Sequence, residues 1–284
     1  MHKLTNICCI VFLAILSLQT SAEVGSKIKP LQLGIVPYIG TRSLVTSYEP
    51  MRLYLEKALG RPVEIYTATG FKSFYLNAQR GDFDLVISSA HFARMLQIKD
   101  KFAPLVRYSK GGRGLIVKVL NTKFNNIDDL RGQIIATPDQ LSLASIVCMI
   151  YLRDNGLLAG TDFRVLEVPS FASAILAVQK GEAKAAISAP GALGQMPVAL
   201  REAVQPFIDT GEFVSLIFLA NPRLDKATTE HLKSLLLKFS IQTPEGKKFF
   251  GSNAFGSLVP ATPNDMNNLD HYLAETERMM RASP

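Results

Sequence analysis

The sequence predicts an α/β protein with two similar lobes, each a mainly parallel sheet with helices on both faces. Two observations carry this expectation. Strand-like runs alternate with helix-like runs from Leu31 to Ser188, the pattern of repeated strand–helix units that build parallel sheets. The chain also echoes itself: Phe71–Ala90 (FKSFYLNAQRGDFDLVISSA) and Phe171–Pro190 (FASAILAVQKGEAKAAISAP), 100 residues apart, share seven of twenty residues. The shared residues Phe71/Phe171, Ser73/Ser173, Leu76/Leu176, Gln79/Gln179, Gly81/Gly181, Ile87/Ile187 and Ser88/Ser188 describe one helix–Gly–strand–Ser unit built once in each half. Coincidence is the competing explanation, because helix–Gly–strand is a common arrangement.

The elements follow in order. Leu31–Pro37 (LQLGIVP) reads as a buried strand, and Tyr48–Leu59 carries apolar residues at helical spacing before Gly60, a fitting residue just past a helix end. Val63–Thr67 is a strand, Phe71–Arg80 a helix stopped by Gly81, and Asp84–Ser88 the next strand. Ala103–Arg107 and Leu115–Val119 read as further strands. The units resume with strand Gln133–Ala136, helix Leu143–Arg153, strand Arg164–Val168, helix Phe171–Lys180 and strand Ala185–Ser188. Beyond Asn221 the pattern turns helical, over Thr228–Phe239, Thr243–Phe250 and Asp265–Met280, with Thr243 as cap and Pro244 in the first turn of the middle helix.

Composition narrows the function. The chain has 284 residues, 48% apolar and 19% charged, an ordinary globular balance. Its 31 Lys+Arg against 24 Asp+Glu leave +7, scattered without a basic run, so nucleic acid is not an expected partner and a mild attraction for anions is. Residues 1–22 read as a signal peptide: Lys3, the apolar run Ile7–Leu18, then small residues to Ala22. That run has twelve residues, against about 20 for a membrane span, which disfavours an uncleaved anchor. Cleavage after Ala22 leaves Cys148 as the last of three cysteines, so neither an intrachain disulfide nor a cysteine-built metal site is expected. Cys148 sits in the apolar stretch Ile146–Ile150 and reads as a packing residue. The mature chain should be exported and soluble.

Enzyme motifs are missing: no nucleophile elbow, P-loop, dinucleotide fingerprint or zinc-protease helix occurs. Gly111–Gly114 precedes a strand, not a helix, and reads as a turn. No catalytic residue, metal ligand or cofactor is expected. What remains suits the binding of an anion by helix N-termini and short hydroxyls at the carboxyl ends of strands. The candidates are Tyr38 after the first strand, Thr69 and Phe71 opening a helix, Ser88, Ser89 and His91 at a strand end, Gln140 and Ser142 opening the helix of Cys148, and Ser188 ending the echoed strand. Each Ser or Thr alone could be a simple helix cap; recurrence at equivalent strand ends in both halves favours the binding reading. Two lobes facing each other would form a cleft that closes on a solute.

Several stretches resemble one family. LGIVPYIG, YLEKALGRPVEIYTATGF, RGDFDLVISSAHFARM, IDDLRGQIIATPDQLSLAS, VQKGEAKAAIS and TPEGKKFFGSNAFGSLVPATPNDM occur in the order and spacing seen in PhnD-like phosphate/phosphite/phosphonate-binding proteins, the periplasmic receptors of ABC importers. The resemblance spans nearly the whole mature chain. It implies the type II periplasmic binding fold, with lobe 1 at 23–117 plus 218–284, lobe 2 at 118–217, and a hinge of two crossover strands. It also implies that Leu141-Ser142-Leu143 stands where the family's Ser-Thr-Ser run grips the phosphonate, with only the middle hydroxyl kept and Ser145 a turn further on. Ser89-Ala90-His91 stands at the family's Gly-Pro-Tyr, and Lys184 where Asp is usual.

The expected function is therefore capture of a small, phosphonate- or phosphate-like oxyanion in an interlobe cleft, by a monomer that docks on an importer permease. One alternative is a ligand sensor feeding a sensor kinase. Another, of a different class, is a periplasmic enzyme with Ser88 or Ser142 as nucleophile, for which only His91 is near in sequence.

Overall fold

The computed structural model describes residues 29–194, 196–252 and 256–282; the expected signal peptide at 1–22 lies outside the described residues. The chain lays down Leu31–Ile35 (β1), Thr41–Leu59 (α1), Val63–Tyr66 (β2), Phe71–Gln79 (α2), Leu85–Ser89 (β3), Ala90–Asp100 (α3) and Ala103–Tyr108 (β4). It then crosses to Gly112–Val119 (β5), Ile134–Thr137 (β6), Leu143–Asp154 (α4), Arg164–Glu167 (β7), Phe171–Gln179 (α5) and Ala185–Ser188 (β8). Two short helices, Pro190–Gly194 (α6) and Val198–Arg201 (α7), lead into Val204–Phe213 (β9). The return comprises Leu216–Ala220 (β10), Lys226–Gln242 (α8), Pro244–Ser252 (α9), Leu258–Pro260 (β11), Pro263–Asn267 (α10) and Asp270–Ala282 (α11).

The strands form two sheets, one of six in the order β11-β4-β10-β3-β1-β2 and one of five in the order β7-β6-β8-β5-β9. The expectation of parallel pairing holds for the half of each sheet built from strand–helix units: β1 runs parallel to β2 and β3, and β6 to β7 and β8. The other half is antiparallel, so the sheets are mixed. β10 opposes β3 and β4, β11 opposes β4, and β5 opposes β8 and β9. A strand arriving from the other sheet through a two- or three-residue link has no helix to carry it back to the starting edge, so it enters from the opposite end.

The sequence echo maps onto equivalent places. β3 lies between β1 and β10, as β8 lies between β6 and β5. Both preceding helices start from an extended residue, Gly70 at φ −161 and Ser170 at φ −157. Both are followed by a left-handed glycine, Gly81 at φ +82 and Gly181 at φ +77, a conformation that other residues adopt only at a cost.

Several expectations need correction. Boundaries at 117/118 and 217/218 would cut β5 and β10, whereas sheet membership changes between 108 and 112 and between 213 and 216. α1 starts at Thr41, not Tyr48, and runs through Pro50; burial of Leu44 and Tyr48 holds the extra turns. β9 and β10 were not anticipated, and the single helix expected over Asp265–Met280 is two, α10 and α11. The core is continuous between sheets: Leu33, Ile87 and Phe218 belong to the same buried cluster as Ile135, Ile146 and Leu152, with a second cluster around Val117, Ile175 and Val178. Cys148 is fully buried, and burial pushes its thiol pKa up.

Candidate ligand-binding site

A cavity of about 210 Å³ lies between the two sheets. Tyr38 and Ile39 beyond β1, Phe71 of α2, and Ser89 at the end of β3 form one wall. Ser142 to Ala144 at the start of α4, Phe171 of α5, and the turn Ala189–Ala192 beyond β8 form the other. The two crossings supply the floor, with Gly111, Gly112 and Arg113 on one and Phe213, Ser215 and Leu216 on the other. Each parallel strand thus delivers its carboxyl end to the cavity, the usual place for a ligand in such sheets.

The polar groups on this wall are mostly neutral. Ser89 is the N-cap residue of α3, and no side chain caps that helix. Ser142 is the N-cap of α4; its Oγ accepts from the Ser145 amide at 3.2 Å and meets Ser145 Oγ at 2.8 Å. When the Ser145 hydroxyl donates to Ser142, the Ser142 hydroxyl proton is left for the cavity. Leu143 and Ala144 line the wall as the first two helical residues of α4, whose amides have no intrahelical acceptor. The buried Ser215 hydroxyl has no hydrogen-bond partner among the described residues.

Tyr38, on the cavity wall, also begins a chain of phenols. Its hydroxyl donates to Tyr48 at 3.3 Å, and Tyr48 meets Tyr108 at 2.8 Å. Burial raises the pKa of all three, so they are neutral. Among the described residues Arg113 is the sole charged side chain on the wall, and it is committed: its Nη2 lies 2.8 Å from Asp209 Oδ2 and its Nε 2.9 Å. That hydrogen bond holds the Asp209 carboxyl below its ordinary range. No group of three or more metal-ligating side chains occurs among the described residues.

The candidates from sequence divide in two. Tyr38, Phe71, Ser89 and Ser142 line the cavity. Thr69 lines a neighbouring groove with Asp139 and Glu167, and Gln140 donates from Nε2 to Glu167 Oε2 at 2.9 Å. Ser88 and Ser188 are fully buried behind the wall, their hydroxyls without hydrogen-bond partners among the described residues. Strand alternation explains the split at β3, because Ser88 and Ser89 point to opposite faces. His91 is also fully buried, and its Nε2 lies 3.1 Å from the Leu141 carbonyl across the lobes. Burial pushes its pKa down to about 3, so the ring is neutral and Nε2–H donates. A second link spans the cleft where the Phe71 amide donates to Asp139 Oδ2 at 3.3 Å.

Sequence reasoning missed Phe171, Arg113, Phe213 and Ser215. Phe171 was within reach, as the echo partner of Phe71. The other three lie on crossing strands, whose role shows only once the sheets are assembled. Gly111 and Gly112 belong to the same crossing: a Cβ on Gly111 would stand 2.5 Å from the Phe213 carbonyl, and one on Gly112 2.5 Å from the Phe213 ring. The glycines let the two crossings run against each other under the cavity.

Comparison with known proteins agrees with this architecture. Residues 33–266 match the family model of the ABC transporter, phosphonate, periplasmic substrate-binding protein. A binding-protein component of an ABC phosphonate transporter from Pseudomonas aeruginosa superposes with TM-score 0.77 at 13% identity, covering 90% of this chain and 89% of that one. PhnD1 from Prochlorococcus marinus, solved in complex with methylphosphonate, gives 0.78 at 16% identity, covering 88% and 99%. The periplasmic aliphatic sulphonate binding protein SsuA from Escherichia coli gives 0.63 at 14% identity, covering 90% and 94%. With the matched model spanning both sheets and every wall of the cavity, the chain belongs to the family of periplasmic substrate-binding proteins of phosphonate ABC transporters.

Proposed function

We propose that the cavity between the sheets captures a phosphonate-type oxyanion and that the closed form presents it to the permease of an ABC importer. One observation carries this reading: three serine hydroxyls and the first-turn amides of α4 lie on the wall of a cavity with no carboxylate or lysine among the described residues. Hydroxyls of Ser89, Ser142 and Ser215 and the amides opening α4 donate to anionic oxygens, and the α3 and α4 dipoles add attraction. The hydrogen bonds of His91 and of Asp139 across the cleft favour closure over the bound anion. The methylphosphonate complex of the Prochlorococcus relative supports the choice of head group.

The protein acts as a monomer without chemistry on its ligand. Neither the Ser88 hydroxyl nor His91 Nδ1 has a hydrogen-bond partner among the described residues, so the two are not paired as nucleophile and base, which argues against the serine-enzyme alternative. An importer permease, not a sensor kinase, is the partner that the family favours.

Isothermal titration with methylphosphonate tests the site. The expected result is binding that Ser142→Ala weakens by tenfold or more, since a hydrogen bond to a charged group contributes roughly 1.5–3 kcal/mol. Absence of binding by every phosphonate, or an unchanged Kd for Ser142→Ala, would overturn the assignment.

A further inference from the structure

The walls that do not donate hydrogen bonds say what the rest of the ligand is. Tyr38, Phe71, Phe171, Phe213, Leu143 and Leu216 make most of the enclosure apolar and aromatic. At about 210 Å³ the cavity exceeds the ~150 Å³ of an engineered apolar cavity that takes up benzene. By proportion it accepts roughly eight heavy atoms. Inorganic phosphate and methylphosphonate have five each and would leave apolar wall unfilled. A cationic substituent fares worse, because among the described residues the wall holds no carboxylate and Asp209 is engaged by Arg113 at 2.8 Å. An ammonium in that space would lose its water without gaining a counter-charge.

We propose that the cleft selects organophosphonates whose substituent is uncharged, apolar and about three or four carbons long, over inorganic phosphate, methylphosphonate and aminoalkylphosphonates. This rests on the oxyanion reading above and deepens it: the hydroxyls and first-turn amides take the head group, and the aromatic rings take the tail. Each methylene buried against those rings tightens binding by roughly fourfold until the space is full.

Isothermal titration of the purified protein with methyl-, ethyl-, n-propyl- and n-butylphosphonate, 2-aminoethylphosphonate and inorganic phosphate tests this. The n-propyl and 2-aminoethyl compounds are matched in size and differ by a methyl against an ammonium. The expected result is affinity rising along the alkyl series, with 2-aminoethylphosphonate at least tenfold weaker than n-propylphosphonate and phosphate weakest. A flat or falling alkyl series, an aminoethyl compound equal to the propyl compound, or phosphate bound best would overturn the selectivity while leaving an oxyanion site in place. Binding of none of the six would overturn both.

Discussion

Folding changes the proton affinity of His91 within the mildly acidic range. Its ordinary pKa of 6.5 falls to about 3 because burial disfavours the imidazolium, and the Leu141 carbonyl offsets only part of that. The unfolded chain therefore binds a proton at this site between those two values where the folded chain does not. Stability is complete above the unfolded pKa and falls as pH drops below it, by about 2 kcal/mol at pH 5. Urea midpoints at pH 7.5 and 5 measure this, and His91→Gln should lose most of the difference; a variant with the full wild-type drop would place the titration elsewhere. Ser142 is tied to stability as well as binding, since its Oγ caps α4. Ser142→Ala should cost about 0.5–2 kcal/mol without ligand, by the same urea assay. Ser142 was legible in the sequence as a hydroxyl before an apolar helix. The burial of Ser88 and Ser188 was not, because one residue's shift along a strand decides which face it meets, and that of His91 depends on the second sheet's Leu141 packing over α3.

The repeated helix–Gly–strand units are legible in the sequence, whereas the helix α3 and the strands β9 and β10 are not. The helix–Gly–strand repeat gave α2, β3, α5 and β8 because its turns need left-handed glycine, a requirement visible in one chain segment. β9 pairs with β5 along its length, but its sequence VQPFIDTGEF holds Pro206 and Gly211, which dilute a strand signal that only the partner restores. The crossings follow the same logic. Gly111 has a backbone carbonyl 2.5 Å from where its Cβ would stand, whereas a Cβ on Gly251, in α9, would meet nothing within 4 Å. Gly111→Ala should therefore destabilise by about 1–3 kcal/mol, and Gly251→Ala should stabilise by up to about 1 kcal/mol. Equal effects in urea denaturation would remove the case for tight contact at the crossing.

Two sheets joined by two short crossings could behave as two folding units, and the packing decides that they do not. The larger buried cluster includes Phe218 and Ile87 of the first sheet together with Ile135 and Ile187 of the second, so neither sheet can unfold without exposing apolar surface of the other. α11 reinforces this from outside the cleft. Its Asp270 pairs with Arg94 of α3 at 2.7 Å, and its Glu275 with Arg153 of α4 at 3.2 Å. Such partly exposed pairs contribute little individually, so the coupling comes mainly from the shared core. Calorimetry should therefore show one transition whose van't Hoff and calorimetric enthalpies agree. Because the proposed site draws its walls from both lobes, a ligand at 100 times its Kd should raise stability by about 2.7 kcal/mol and move that single transition as a whole. Two resolved maxima, or a ligand that shifts one and leaves the other in place, would mean that the lobes are thermodynamically separate and that closure is the only link between them.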